Sequence, residues 1–276
     1  MNDTVLLLRA CRPGGESRNG FIWPLEIGAE AVAPDWSPRA ECGGGLHGLL
    51  WGEGDGALLD WSGDAVWMVV EATAVSVVDL GGKVKVPRAT VRHVGDRVSA
   101  TAWLAERAPG RKIVGGTATA GHRGTATAGH RGTATAGDGG TATAGDGGTA
   151  TAGHRGTATA GHGGTATAGH RGTATAGYGG TATAGDEGTA TAGHGGTATA
   201  GHRGTATAGH RGTATAGDGG TLTLFVWNGG RCRPRVACVG EHATGLPDGV
   251  VIEPNVAYRC EWRDGGAHWS RAGEGA

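Results

Sequence analysis

Threonine, histidine and aspartate recur in this chain at spacings that could support surface chemistry. The hexapeptide Gly-Thr-Ala-Thr-Ala-Gly begins at Gly116 and returns every eighth residue up to Gly212, thirteen times without a change. Each copy carries a Thr-x-Thr pair, namely Thr117 and Thr119, Thr125 and Thr127, Thr133 and Thr135, Thr141 and Thr143, Thr149 and Thr151, Thr157 and Thr159, and Thr165 and Thr167. The series continues through Thr173 and Thr175, Thr181 and Thr183, Thr189 and Thr191, Thr197 and Thr199, Thr205 and Thr207, and Thr213 and Thr215. Hydroxyl and methyl groups held at regular intervals on a rigid surface can order a layer of water. These threonines are therefore the candidate water- or ice-facing residues, although threonine also suits any exposed β surface.

Other groups offer weaker chemistry. Two variable residues separate the copies, and histidine opens the pair at His122, His130, His154, His162, His170, His194, His202 and His210. Aspartates and Tyr178 interrupt these files, so no three- or four-ligand cage is evident and no metal is expected. The aspartate corners lack the nine-residue period and the aliphatic position of calcium-binding rolls. Ahead of the array, Gly43-Gly44-Gly45-Leu46-His47-Gly48 could cradle a phosphate, but the Lys-Ser/Thr of a phosphate-binding loop is missing. Cys42 with His47 or His93 has the residue types of a nucleophile pair. A glycine-rich turn and ordinary core residues explain the same letters, and the chain is expected to be non-enzymatic, with no catalytic, cofactor or metal site.

The threonines need elements that hold them. Thr-Ala-Thr-Ala is a four-residue strand, so its threonines share one face and its alanines the other. Gly121 and Gly124 bracket the variable pair and are expected to supply the unusual backbone angles of a tight corner. Eight residues cannot close a coil, whereas two strands and two corners can, giving 16 residues per coil. The charges agree: at a spacing of 16, Asp138 falls between His122 and His154, while a spacing of eight would set Asp138 against Asp146. Threonine inside would bury 26 hydroxyls with few partners, at roughly 1–3 kcal/mol for each one unsatisfied. Alanine is therefore expected inside and threonine outside, on a solenoid of about 6.5 coils and roughly 31 Å.

Composition confines ordinary cores to the two ends. Of 276 residues, 59 are glycine, and all nine tryptophans lie outside the array. The chain is expected to contain a small α+β domain over residues 1–115, the solenoid over 116–224 and a β-meander cap over 225–276. Residues 66–78 read as one or two strands, 83–86 as a half-exposed strand ended by Pro87, and 96–107 as a helix. That helix would bury Val98, Ala102 and Trp103 or Leu104. Asn228-Gly229 and Asp264-Gly265 signal hairpins.

Lys plus Arg against Asp plus Glu stands at 12 to 14 before Gly116, 6 to 5 in the array and 6 to 6 after residue 218. No segment has the basic excess of a nucleic-acid binder. Five cysteines without metal-type spacing read as reduced, with Cys232–Cys238 or Cys238–Cys260 the pairings open to an exported protein. The start, with four apolar residues before Arg9, is too short for a signal peptide or a membrane span, and a cytoplasmic location is the default expectation.

Set out as Ala-Gly-Tyr-Gly-Gly-Thr-Ala-Thr (residues 176–183), the octad resembles the half-repeat of bacterial ice nucleation proteins, which pair a Gly-Tyr-Gly corner with a Thr-x-Thr strand in 16-residue coils. The resemblance covers about 110 residues. It implies a Thr-faced β-solenoid that engages ordered water or ice. The family's arrays are longer and alternate two kinds of octad, whereas these octads are uniform. The N-terminal region does not resemble the family's membrane-associated domain. Through residues 41–48 and 83–87 it is similar to an uncharacterised domain that precedes octad repeats in actinobacterial and phage proteins, which implies no established activity. The expected protein is an all-β-dominated, capped solenoid acting as a rigid structural or interaction element. Its alternative role is to organise water or ice, and its expected partners are ice and further copies of itself, end to end or side by side.

Overall fold

The computed structural model describes residues 3–243 and 251–273. The chain divides into two compact units, Met1–Thr117 with Ala128–Gly132, and Ala118–Thr127 with Thr133–Ala276.

The first unit is built on seven antiparallel strands. They are β1 (Thr4–Cys11), β2 (Glu30–Val32), β3 (Leu46–Leu50), β4 (Val66–Thr73), β5 (Val78–Asp79), β6 (Val84–Val86) and β7 (Arg88–Gly95), in the order β2-β7-β4-β1-β3-β6-β5. Alternation along β1 splits the core. Leu7 packs on one face with Trp23, Met68 and Val70, and Leu8 packs on the other with Trp67, Val69 and Leu104. Helix α1 (Arg97–Arg107) begins at Asp96, whose carboxylate accepts the Ser99 N–H at 2.7 Å. Its buried side is Ala100, Thr101 and Leu104, whereas Val98 and Ala102, expected inside, face outward. The half-exposed strand expected at 83–86 is also corrected. Lys85 in β6 is 1% exposed, because its stem lies in the sheet while its ammonium donates to the Glu41 and Gly43 carbonyls, both at 2.9 Å.

The second unit is a solenoid. Thirteen four-residue strands, β8 (Thr117–Ala120) to β20 (Thr213–Ala216), occur one per octad. Even-numbered strands stack in one parallel sheet and odd-numbered strands in the other, each residue beside its counterpart 16 positions on, as Thr165 beside Thr181 and Thr173 beside Thr189. Alanine fills the space between the sheets: Ala150, Ala166 and Ala182 are fully buried, and the threonines point outward. Small interior residues let the sheets approach more closely than the usual ~10 Å, and backbone ladders supply most of the order.

The corners differ from expectation in one respect. Each is a β-turn closed by a bond such as Gly124 N–H to Gly121 O at 3.0 Å, but Gly121 and Gly124 do not hold positive φ. The second variable residue does, from Arg131 at 52° to Gly195 at 67°. Such an angle at the third turn residue is the mark of a type II turn. The bracketing glycines serve a steric purpose. A Cβ on Gly169 would sit 2.9 Å from the Gly153 carbonyl carbon and the His154 nitrogen of the coil beneath. Coils this close admit no side chain there.

The array ends in larger residues. Strand β21 (Thr221–Trp227) buries Leu222 and Leu224 where earlier strands bury alanine. It pairs antiparallel with β22 (Cys232–Cys238), extending the odd sheet. Strands β23 (Tyr258–Arg263) and β24 (Gly266–Arg271) form a second hairpin beside β20 on the even sheet. Its loop, Asp264 and Gly265, has φ of 48° and 79°, as a two-residue type I′ turn requires. Two separate hairpins therefore replace the expected meander. All five cysteines are free. Cys232 and Cys238 stand at opposite ends of one extended strand, about 20 Å apart at the usual rise, and Cys260 belongs to the other sheet.

Candidate functional site

The threonine faces follow from the coil. With alanine inward, both threonines of every strand project from the same side, the first mostly exposed and the second half-buried. Neighbouring threonines are spaced about 6.8 Å along a strand and about 4.8 Å between coils. Among the described residues, Thr213 alone of the set makes a side-chain hydrogen bond, accepting from Arg259 Nε at 3.1 Å. The remaining hydroxyls are left to solvent.

The corners form two files, and each combines carboxylate contacts with stacked rings. Asp138, Asp146 and Asp186 do not pair mainly with imidazoles. Their carboxylates accept the backbone N–H of His154, His162 and His202, at 2.8, 2.8 and 2.9 Å. A short aspartate reaches the amide one coil on, and an ionised acceptor strengthens that bond. Arg171 and Glu187 form an ion pair at 2.6 Å. Rings stack in both files, with His154 and His170 5.1 Å apart and Tyr178 and His194 5.0 Å apart, each pair nearly parallel. Every one of these contacts joins residues sixteen apart.

The first unit contains a cavity of about 270 Å³ lined by Arg9, Cys11, Cys42, His47, Leu59 and Lys83, among others. Lys83 Nζ lies 3.1 Å from Cys42 Sγ, and its hydrogen bond and charge lower the thiol pKa. Burial and the neighbouring cations Lys83 and Arg9 push His47 down to about 4. Its Nε2 is buried without a partner. The structure thus brings Cys42 and His47 to one cavity and leaves His93 elsewhere, against Ser99 Oγ at 3.2 Å and the Trp103 ring. The glycine loop turns carbonyls toward Lys85, an arrangement suited to a cation rather than a phosphate. The partnership of Lys83 with Cys42 was not legible beforehand, since 41 residues separate them.

No protein-family model matches the chain, and no solved structure matches it. Curated relatives match over the repeats. An ice nucleation protein of Pseudomonas syringae is 39% identical over 107 residues, covering 38% of this chain and 9% of the relative. The octad array is similar to the repeats of ice nucleation proteins. Ice nucleation proteins of Xanthomonas campestris pv. translucens (38% over 109 residues, 39% of this chain and 7% of the relative) and Pantoea ananas (InaU, 38% over 104 residues, 37% and 10%) show the same extent of match. The chain therefore spans no more than a tenth of the length of these ice nucleation proteins. No helix among the described residues is long and apolar enough to cross a membrane.

Proposed function

We propose that the protein organises water on its threonine faces and binds ice through them. The register carries this reading. Thr165 lies beside Thr181 and Thr167 beside Thr183, and the pattern repeats through coil after coil on both sheets. Hydroxyls can anchor water at each point while the adjoining methyls confine it between them. Continuous backbone ladders keep the points from moving, so little order must be created when water settles. The names of the matching relatives support the same reading.

Seven strands of the even sheet give a face about 29 Å long at the strand spacing. A template of that size stabilises only a small ice embryo. The chain is therefore proposed to adsorb to existing ice and to be a weak nucleator by itself.

Ice-affinity partitioning of the whole chain tests this. Wild-type protein should concentrate in the growing ice. The pair Thr167→Lys and Thr183→Lys disrupts the even face, and Thr159→Lys with Thr175→Lys disrupts the odd one. At least one pair should reduce the uptake. A wild-type protein left wholly in the liquid would overturn the proposal and leave the rigid-spacer role, which draws on the same scaffold.

A further inference from the structure

The corner file that runs through His162, Tyr178, His194 and His210 contains one contact unlike the rest. His210 Nδ1 lies 3.3 Å from His194 Nε2, with the rings 5.2 Å apart and tilted by 54°. The other histidine pair, His154 with His170, is stacked at 5.1 Å and 5°, so its nitrogens lie in parallel planes. Among the described residues, only His194 and His210 direct ring nitrogen at ring nitrogen.

That separation fits a particular chelate. Imidazole nitrogens bind zinc at about 2.0–2.1 Å, and two of them 3.3 Å apart would subtend about 104–111° at the metal. The angle is close to tetrahedral and wider than the right angle of a square-planar copper(II) or nickel(II) site. We propose that His194 and His210 chelate a divalent cation of the zinc type, with water completing a tetrahedral shell.

Coordination requires each facing nitrogen to offer its lone pair. The hydrogen now shared between them moves to the far nitrogen of its own ring, so two neutral imidazoles bind and no net proton is released.

The surroundings favour this. Tyr178 lies flat on the opposite side of His194 and fixes that ring. The groups facing His210 are His194, Arg211 and Glu261, the last opposing the repulsion of Arg211. Glu261 is itself bound by Arg263 at 2.5 Å. No cluster of three or more metal-type side chains occurs among the described residues, and the proposed site has two protein ligands. The bound ion would tie the corner before β18 to the corner before β20 and so brace the last coils, because a ligand that binds only the folded chain stabilises it.

The test titrates the full chain with zinc against a chromophoric chelator and records the visible spectrum with cobalt(II). One equivalent of zinc, strong tetrahedral cobalt bands and a zinc-dependent rise in melting temperature are expected. His194→Ala and His210→Ala should each weaken binding about tenfold or more, since even outer-shell changes commonly cost that much. His170→Ala should leave binding intact. If His210→Ala melts early without metal, His210→Gln repeats the test with a corner amide. No binding by the wild type, a weak octahedral cobalt spectrum, or binding that survives removal of His210 would each overturn the proposal.

Discussion

Arg171 and Glu187 face each other across adjacent coils, with Arg171 Nε donating to Glu187 Oε2 at 2.6 Å, and both hold left-handed backbone, φ 56° and 55°. One coil spacing therefore sets their charge pairing and their strain together. Non-glycine residues in this region cost on the order of 1–2 kcal/mol each, yet arginine or glutamate occupies it at seven of the thirteen corners.

Replacing Asp186 with His and Glu187 with Arg would put like charges on successive coils from His154-Arg155 to His202-Arg203. It also removes the carboxylate that accepts the His202 N–H. Melting temperature should fall, and fall further at low salt, where screening is weakest. The Arg171 hydrogen bond, then its charge, holds Glu187 below its ordinary value of 4.5. A depressed carboxylate stabilises above its unfolded pKa and loses that contribution as pH falls through the folded one. The wild-type advantage from Glu187 should thus fade below about pH 4.5 in a thermal-melt series. Unchanged melting at low salt would contradict the electrostatic role of the ladder.

The corners also predict opposite responses from two backbone changes. Arg155→Gly relieves positive φ at an exposed site and should raise stability by up to about 1 kcal/mol. Gly169→Ala forces a Cβ against the coil beneath and should lower it by about 2 kcal/mol or more. Urea unfolding of both variants checks the pair. A harmless Gly169→Ala would show that the coils are not in close contact.

Acid should loosen the first unit earlier than the solenoid. His47 falls to about 4 in the fold because of burial, Lys83 and Arg9, against 6.5 unfolded. Between those values the unfolded chain binds more protons, so stability drops as pH falls from 6.5 toward 4. With His47 only half-buried, the loss is about 1–2 kcal/mol after discounting for solvent screening. His47→Gln should flatten the pH dependence in tryptophan-monitored melts, because six of the nine tryptophans lie in this unit. An equal slope in the variant would exclude His47 as its source.

Removing residues 225–276 should produce oligomers. In the intact chain β22 carries Arg233, Pro234 and Arg235 along its outer edge, and proline and charge are what keep a sheet edge from recruiting another strand. The deletion exposes the parallel edges of β20 and the shortened β21, each able to template a second copy. Light scattering reads the result. A monodisperse, equally stable truncation would show that the hairpins do not cap.

The repeats made the solenoid legible in advance. Period eight, the Thr/Ala alternation and the spacing of corner charges together required 16-residue coils with alanine inside, because one-residue strand alternation and like-charge avoidance are local rules. Asn228-Gly229 and Asp264-Gly265 marked their hairpins for the same reason. Tertiary structure alone decided the rest. Positive φ fell on Arg123 and its equivalents rather than on Gly121 or Gly124, because the stacked coil, absent from any single octad, claims the space beside the bracketing glycines. The burial of Lys85 depended on carbonyls of Glu41 and Gly43 more than forty residues away. The hairpins met different sheets because strand order depends on long-range pairing, which short-range pattern does not encode. The facing nitrogens of His194 and His210 likewise required ring orientations that only packed neighbours impose.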